Sequence, residues 1–230
     1  MTAEVTTDLA MLERLVAPAG KEIVDIGCGP GGLVRELTAR GARMVGVEIS
    51  DDQLATARAR DGAGGARYVV GTAQRLPLDD ASVDVAVFMR TLHHVPVAEL
   101  GAALAEARRV VRPGGLVYVA EPLTEGDHFA LTALIEDELE VRRAAQEALA
   151  GAAAAGLERV ATVDYDVRVV LAGVDAYRSR TVAVDPARAA VFDARREQIA
   201  AAFARLGRAG DQPGERVFTQ PMRADVLRRA

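Results

Sequence analysis

Tryptophan is absent from this sequence of 230 residues, cysteine occurs once, and aromatic residues make up only 4% of the chain. The single thiol, that of Cys28, excludes an intramolecular disulfide and a cysteine-rich zinc site. The net charge of −5 and the shortage of aromatic side chains are unlike the basic, base-stacking surfaces of nucleic-acid-binding proteins. We therefore expect neither a disulfide scaffold nor a nucleic-acid partner.

Long hydrophobic runs are missing as well. No apolar run reaches the ~20 residues that a membrane-spanning helix needs. The first ten residues, MTAEVTTDLA, lack the basic and apolar regions of a secretory signal. The sequence thus predicts a cytoplasmic protein that acts without a membrane partner. We expect a monomer or a homodimer.

Strand and helix patterns alternate through the first 122 residues, and half of the whole chain is apolar. The predicted strands are residues 22–26, 43–49, 68–71, 83–88 and 116–120, and the predicted helices between them are 33–40, 51–60 and 97–110. Such alternation is typical of a doubly wound α/β fold, with a mostly parallel sheet and helices on both faces.

The second half of the chain has longer elements. Its pattern predicts helices over residues 129–155 and 186–206, a strand over 160–171 and a last strand within 216–227. We interpret these elements as completing the same sheet, so that residues 1–230 form a single domain in which 123–185 contain helical insertions that cover the substrate.

A glycine-rich segment, VDIGCGPGG at residues 24–32, joins the first of these strands to the helix that follows it. Glycines at such a junction let the backbone approach a ligand closely, and the N-terminus of the helix favours negative charge. Glu48 follows Gly27 by 21 residues and can accept hydrogen bonds from the ribose hydroxyls of an adenosine cofactor. A dinucleotide fits this pattern as well, because Gly27, Gly29 and Gly32 satisfy G-x-G-x-x-G.

Two residues favour S-adenosylmethionine over a dinucleotide. Asp25 occupies a strand position at which a dinucleotide-binding strand usually has an aliphatic residue, and a buried carboxylate needs a partner such as a ligand ammonium group. Pro30 removes a backbone N–H that a pyrophosphate would use. Both residues suit a cofactor with an amino acid at one end and adenosine at the other.

The chain resembles the class I S-adenosylmethionine-dependent methyltransferases through an ordered set of motifs: VDIGCGPGG, VGVEIS, GTAQRLPLDDASVDVAVF, TLHHV and RRVVRPGGLVYVAEP. Within them it is most similar to the small-molecule branch that includes the methyltransferase type 11 and ubiquinone/menaquinone enzymes. The resemblance implies a seven-stranded sheet of order 3-2-1-4-5-7-6 with strand 7 antiparallel. It also implies transfer of a methyl group to an oxygen, nitrogen or carbon atom of a small metabolite, as in specialised metabolism.

The same resemblance implies a set of cofactor-binding residues. Glycines of the loop would line the methionine and the ribose, Asp25 would brace the loop or the ammonium group, and Glu48 would bind the ribose hydroxyls. The full set is Asp25, Gly27, Cys28, Gly29, Gly31, Glu48, Ile49, Thr72, Ala73, Gln74 and Arg90. Two members depart from the family pattern: Thr72 replaces a carboxylate that accepts from the adenine amino group, and Arg90 stands where small polar residues are usual.

His93 and His94 follow the fourth of these strands, at the edge of the sheet where ligands bind in this architecture. A histidine there can take a proton from a hydroxyl, phenol or amine nucleophile, or it can cap the next helix or pack structurally. No carboxylate cluster at metal-ligand spacing accompanies the pair, so we expect no metal. Glu121 follows the fifth strand and is a candidate to accept a hydrogen bond from the substrate.

Substrate contacts are sought in the covering segments, residues 127–150 and 174–180. The candidates are Phe129, Tyr165, Tyr177, Arg178 and Arg180, and the competing interpretation is core packing or surface charge. Two other functions stay open: an enzyme or scaffold of the same fold that binds S-adenosylmethionine without transferring methyl groups, and an NAD-dependent oxidoreductase.

Overall fold

The computed structural model describes residues 3–62 and 64–230. Its strands are β1 (Glu4–Val5), β2 (Glu22–Ile26), β3 (Arg43–Glu48), β4 (Arg67–Val70), β5 (Val83–Met89), β6 (Val111–Pro122), β7 (Leu157–Leu171), β8 (Arg208–Ala209) and β9 (Arg216–Arg229). Its helices are α1 (Asp8–Val16), α2 (Gly32–Ala39), α3 (Asp51–Asp61), α4 (Leu100–Val110), α5 (Asp127–Thr132), α6 (Leu139–Ala150), α7 (Val174–Val184), α8 (Arg188–Ala194) and α9 (Arg196–Leu206). Short 3-10 helices cover Leu92–His94, Val97–Glu99 and Ala152–Ala155.

The strands form one sheet in the order β1-β7-β9-β6-β5-β2-β3-β4, and β8 pairs antiparallel with β9. The sheet is mostly parallel with one antiparallel strand, and its seven long strands follow the predicted order. The predicted count of seven is wrong, because β1 and β8 extend the sheet at β7 and β9. Each has two residues, which is too short for an alternating pattern to identify.

The described residues divide into two compact units. The larger unit comprises residues 8–121, 144–163 and 223–230, and the smaller unit comprises residues 3–7, 122–143 and 164–222. The single domain predicted for the chain, with covering insertions at 123–185, stays a prediction.

The larger unit is built on β2 and β5, which lie side by side and each pair with a further parallel strand. Four consecutive residues of β2 are buried, as expected of a strand covered on both faces. Phe88, Leu104 and Val119 belong to its core. Because parallel strands end at the same edge, the loops after β2, β3 and β5 are brought together there.

The smaller unit has an aromatic core in which Tyr177, Phe192, Phe203 and Phe218 pack with Leu131. Helices α5, α7, α8 and α9 supply most of these side chains. Nowhere in the described ranges does a helix have both the length and the apolar character needed to cross a membrane.

Two predicted helices are interrupted. The helix predicted over 129–155 is α5 and α6 separated by residues 133–138, followed by a 3-10 turn that ends at the left-handed Gly156 (φ +73°). The helix predicted over 186–206 is α8 and α9, which meet at Arg195 (φ −110°). Alanine-rich segments have high helix propensity throughout, so propensity alone does not show where packing breaks the helix.

Candidate functional site

The loop between β2 and α2 turns on three glycines in the left-handed region, Gly27 (φ +75°), Gly29 (φ +51°) and Gly31 (φ +73°). Two of them also have close neighbours. A Cβ on Gly27 would collide with Cγ2 of Thr91, and a Cβ on Gly31 would lie 2.8 Å from the Tyr68 hydroxyl. Glycine is therefore required at these two positions by both backbone conformation and space.

The Glu48 carboxylate lies beside this loop, at the end of β3. Its Oε2 accepts from the Gly29 N–H (3.0 Å), and its Oε1 accepts from the N–H groups of Ile49 (2.9 Å) and Ser50 (3.0 Å). A carboxylate has about four acceptor positions, so one remains for a ligand hydroxyl. Ser50 also caps α3, because its hydroxyl accepts from the Gln53 N–H (3.4 Å).

A cavity of about 430 Å³ opens next to Glu48, within the size range of small-molecule sites. Its lining residues come from the ends of β2, β3 and β5 and the segments that follow β4 and β5: Ile26, Gly27, Val47, Glu48, Ile49, Gly71, Thr72, Ala73, Gln74, Phe88, Thr91, His94, Val95 and Pro96. The cavity thus brings together seven of the predicted site residues: Gly27, Glu48, Ile49, Thr72, Ala73, Gln74 and His94.

Two polar residues of the predicted adenine-binding segment face different partners. The Gln74 side-chain amide donates to the Glu99 carboxylate, which lies in the 3-10 helix before α4. Thr72 is joined to Arg75 by a tight turn in which the Arg75 N–H donates to the Thr72 carbonyl (3.1 Å). Ile49 is 69% exposed and stands at the cavity mouth, as a residue that packs on a ligand ring would.

Thr91 is a cavity residue that the sequence prediction missed. Its Oγ1 is buried and has no hydrogen-bond partner among the residues that the structure describes. Leaving a buried hydroxyl unpaired costs about 1–3 kcal/mol, so a ligand in this cavity is offered a hydrogen bond. The available signal was its place in the loop after β5, two residues past the end of the strand and two residues before His93.

Asp25 is only 2% exposed and does not line the cavity. Burial and, second, the negative charge of Glu48 raise the pKa of its carboxyl group to about 7. Asp25 therefore lies behind the loop, where its charge depends on pH near neutrality.

Cys28 also lies behind the loop. Its Sγ is 3.7 Å from the Gly29 carbonyl oxygen, and a Cβ on Gly46 would come within 2.7 Å of it. Burial and the nearby charges of Asp25 and Glu48 raise the pKa of the thiol to about 12, so it stays protonated. The side chain packs against β3 and does not face the cavity.

Arg90 has a left-handed backbone (φ +57°), and its guanidinium Nε lies 2.8 Å from Oδ2 of Asp8 in α1. Its N–H donates to the Ala120 carbonyl (2.8 Å). The structure thus pairs Arg90 with α1 and does not place it in the cavity lining.

The two histidines have different environments. His93 is 4% exposed, and its Nδ1 is paired with Oε2 of Glu121, which is itself 1% exposed. The other Glu121 oxygen accepts from the N–H groups of Thr91 (3.0 Å) and Leu92 (2.7 Å). His94 is exposed and lines the cavity, with its ring centroid 4.0 Å from that of His93.

This arrangement assigns Glu121 to the support of the β5–α4 segment, since all its described partners lie at residues 91–93. The sequence placed Glu121 at the correct edge of the sheet. It did not reveal that a histidine two positions past Thr91 would occupy the carboxylate.

The substrate candidates lie in the smaller unit or at the sheet. Phe129 packs under the Arg142 guanidinium (5.1 Å to the ring centroid), and Tyr177 is buried at a second, smaller cavity. Arg178 pairs with both oxygens of Asp193 (2.7 and 2.6 Å) at the surface. Tyr165 is fully buried in β7, and Arg180 is exposed in α7.

The larger cavity fits an adenosine-bearing cofactor. The apolar side chains of Ile26, Val47, Phe88 and Val95 offer surfaces for a base, and Glu48 offers an acceptor for ribose hydroxyls. The glycine loop leads into the N-terminus of α2, where backbone N–H groups favour the carboxylate of an amino acid.

Comparison with known proteins agrees with this geometry. Residues 24–119 match the methyltransferase domain family. A protein of Streptomyces fradiae, an uncharacterized 37.1 kDa protein of transposon TN4556, is 39% identical over 149 residues, which cover 60% of this chain and 41% of that protein. The malonyl-[acyl-carrier protein] O-methyltransferase of Serratia marcescens is 35% identical over 98 residues, which cover 43% of this chain and 37% of the enzyme. The matched segment spans less than half the length of these curated relatives.

Among solved structures, a Bacillus halodurans protein provisionally named a methyltransferase superposes with a TM-score of 0.68. The superposition covers 97% of this chain and 99% of that one at 20% sequence identity. At this identity the likeness concerns the fold alone.

Proposed function

We propose, on the premise that residues 24–119 of this chain belong to the methyltransferase domain family, that the protein transfers a methyl group from S-adenosylmethionine to a small metabolite. The observation that carries the proposal is the cavity at the carboxyl ends of β2, β3 and β5, where Gly27, Glu48 and residues 72–74 meet. Each of these belongs to a motif of the class I methyltransferases.

When bound, S-adenosylmethionine supplies a methyl group on a sulfonium, which is already a strong electrophile. The task of the chain is then to position the acceptor and exclude water. Glu48 holds the ribose through its remaining acceptor position, and the amides at the start of α2 hold the amino-acid end. The Thr91 hydroxyl supplies one further hydrogen bond in the same cavity.

A hydroxyl or amine acceptor must lose its proton as the new bond to carbon forms. We assign His94 as the candidate general base, because its side chain lines the cavity and histidine titrates near neutral pH. His93 is assigned as a positioning residue, because its Nδ1 is occupied by Glu121. The acceptor is an oxygen, nitrogen or carbon atom, and the Serratia marcescens relative supports oxygen. A cytoplasmic location and a monomeric or homodimeric state belong to the same proposal.

Isothermal titration with S-adenosylhomocysteine tests the cofactor, with NADH as the competing ligand. We expect saturable binding of S-adenosylhomocysteine and none of NADH. Binding of NADH alone would replace the proposal with an oxidoreductase.

Release of S-adenosylhomocysteine from S-adenosylmethionine, measured over a panel of phenols, carboxylic acids and amines, tests the transfer. Turnover with at least one acceptor is expected, and His94→Gln should lower kcat by a larger factor than it weakens the affinity for S-adenosylhomocysteine. Tight cofactor binding without turnover on any acceptor would instead favour a protein of this fold that uses the cofactor without transferring its methyl group.

A further inference from the structure

The smaller unit contains a cavity of its own, about 140 Å³ in volume. Its walls come from the segment after α5, the start of α6, and helices α7 and α8: Thr132, Ile135, Glu136, Glu138, Arg142, Tyr177, Thr181 and Arg188. This volume is well above the ~10–15 Å³ that one water molecule requires. The cavity can therefore hold an organic molecule of several non-hydrogen atoms.

Two buried polar atoms of the cavity residues lack a hydrogen-bond partner within the described ranges, namely the Tyr177 hydroxyl and Nε of Arg188. Tyr177 is 3% exposed, and Phe192 and Phe203 pack against its ring (centroids 5.7 and 6.4 Å away), which fixes the position of the ring. Burial raises the pKa of Tyr177, so the hydroxyl keeps its proton at neutral pH. The Thr181 hydroxyl adjoins that of Tyr177 without completing a hydrogen bond of normal geometry, so the Tyr177 hydroxyl and the Arg188 Nε–H can both donate to an added acceptor.

The charges around the cavity determine which acceptor it favours. Arg142 is paired with Glu138 (2.6 Å) and donates to the Leu123 carbonyl (3.2 Å). Arg188 is paired with Glu136, and its Nε lies 4.0 Å from Asp185. The guanidinium groups of Arg142 and Arg188 thus balance the two carboxylates that line the cavity. A neutral ligand therefore adds no uncompensated charge to this buried site.

We propose that this cavity is a binding site for a small neutral molecule with a carbonyl oxygen, such as a ketone, ester or amide. A carbonyl oxygen has two lone pairs, and the Tyr177 hydroxyl and the Arg188 Nε–H are the two unpaired donors that the lining offers to it. Ile135 and the methyl group of Thr132 provide apolar contact for the remainder of the ligand. The proposal concerns the smaller unit alone and does not depend on methyl transfer.

The chain has four tyrosines, so a protein labelled with ¹³C at the tyrosine ring carbon that bears the hydroxyl gives a simple NMR spectrum. The signal of Tyr177 is assigned with Tyr177→Phe. Cyclopentanone is the neutral carbonyl probe, and acetate at matched ionic strength is the anionic one. We expect cyclopentanone to shift the Tyr177 signal saturably and acetate to leave it in place.

Arg188→Lys retains the positive charge but removes the Nε donor, and it should weaken cyclopentanone binding about five-fold, as expected for one hydrogen bond. Arg196→Lys is the matched control, because Arg196 pairs with Asp175 at the surface and does not line the cavity. It should leave the affinity unchanged. The other three tyrosine signals report whether each variant is folded.

Three results would overturn the proposal: no saturable shift of Tyr177 with cyclopentanone up to tens of millimolar, an equal affinity for acetate, or an unchanged affinity in Arg188→Lys. If Arg188→Lys moved the other tyrosine signals, the variant would be misfolded and would not test the site. The affinity of Tyr177→Phe for cyclopentanone would then be measured by saturation-transfer NMR on the cyclopentanone signals. Wild-type affinity in that variant would also contradict the assignment.

Discussion

Glu48 shows at the scale of one residue how a side chain can serve the fold and a ligand together. Its carboxylate ties the glycine loop to the start of α3 through three backbone N–H groups. Removing the carboxylate therefore deprives a bound ribose of its acceptor and also releases the loop amides.

We expect Glu48→Ala to weaken binding of S-adenosylhomocysteine by roughly 1–3 kcal/mol, the cost of losing hydrogen bonds to a charged group. Isothermal titration measures the change. Glu13→Ala is the control, because Glu13 pairs with Arg40 at the surface. Equal affinities in the wild type and Glu48→Ala would remove Glu48 from the cofactor site.

Asp25 provides a second prediction, on the pH dependence of stability. Its pKa is about 7 in the folded protein and near 4 in an unfolded chain, so the folded state binds more protons between these values. The contribution of Asp25 to the free energy of unfolding therefore falls as pH rises from about 4 to about 7, and is constant above that range.

Asp25→Asn removes this titration. The stability of the variant relative to the wild type should rise with pH by up to ~1.4 kcal/mol per pH unit between pH ~5 and ~7. Urea denaturation over this range measures it. In Asp84→Asn the same difference should not change with pH, because hydrogen bonds from Glu22 and Arg112 lower the pKa of Asp84 and keep it ionised throughout. A flat difference for Asp25→Asn would show that its carboxyl titrates normally.

At the scale of elements, the loop between β2 and α2 and the segment after β5 constrain each other. Gly27 lies against Thr91, and the backbone of Thr91 is held by Glu121 at the end of β6. The ends of β2, β5 and β6 are thus linked beside the cavity, and we expect a change in one of them to shift the other two.

Gly27→Ala and Gly29→Ala separate strain from crowding. Both place alanine in the left-handed region, which costs about 1–2 kcal/mol, but a Cβ on Gly29 meets no atom within 4 Å. We expect Gly27→Ala to destabilise the protein by at least ~1 kcal/mol more than Gly29→Ala in urea denaturation. Adding Thr91→Ser, which deletes Cγ2, should recover part of that excess. Equal losses of unfolding free energy in Gly27→Ala and Gly29→Ala would mean that the Thr91 side chain moves away from the new Cβ at no cost in stability.

At the scale of the whole molecule, the sheet order predicts which strand is the least exposed to solvent by local unfolding. In the larger unit, β5 is paired on both sides, with β2 and β6, whereas β4 stands at the end of the sheet and pairs only with β3. Peptides from 83–89 should exchange their amide hydrogens at least about tenfold more slowly than those from 67–70, which corresponds to ~1.4 kcal/mol of extra opening free energy. Hydrogen exchange with mass spectrometry measures both, and equal rates would contradict the expectation.

Much of the fold could be predicted because its signals are local. Apolar runs and the glycine turn indicate elements through residues that are close in the chain. The two-residue strands β1 and β8 and the interruptions at 133–138 and Arg195 were missed, because they arise from packing between distant segments. The same holds at the site: the sequence indicated Glu48 and residues 72–74 but not Thr91.

The sequence by itself determined the alternation of strands and helices, the glycines of the loop and the spacing that places Glu48 beside it. These depend on periodicity and on backbone freedom, which each segment carries within itself. The order of the strands followed only from the resemblance to the class I methyltransferases. Only the tertiary structure decided that His93 is paired with Glu121 while His94 lines the cavity, that Arg90 pairs with Asp8, and that the Cys28 thiol faces β3. The sequence cannot distinguish two adjacent histidines in a loop, because packing against strands distant in the chain decides that His93 is buried and that His94 lies at the cavity.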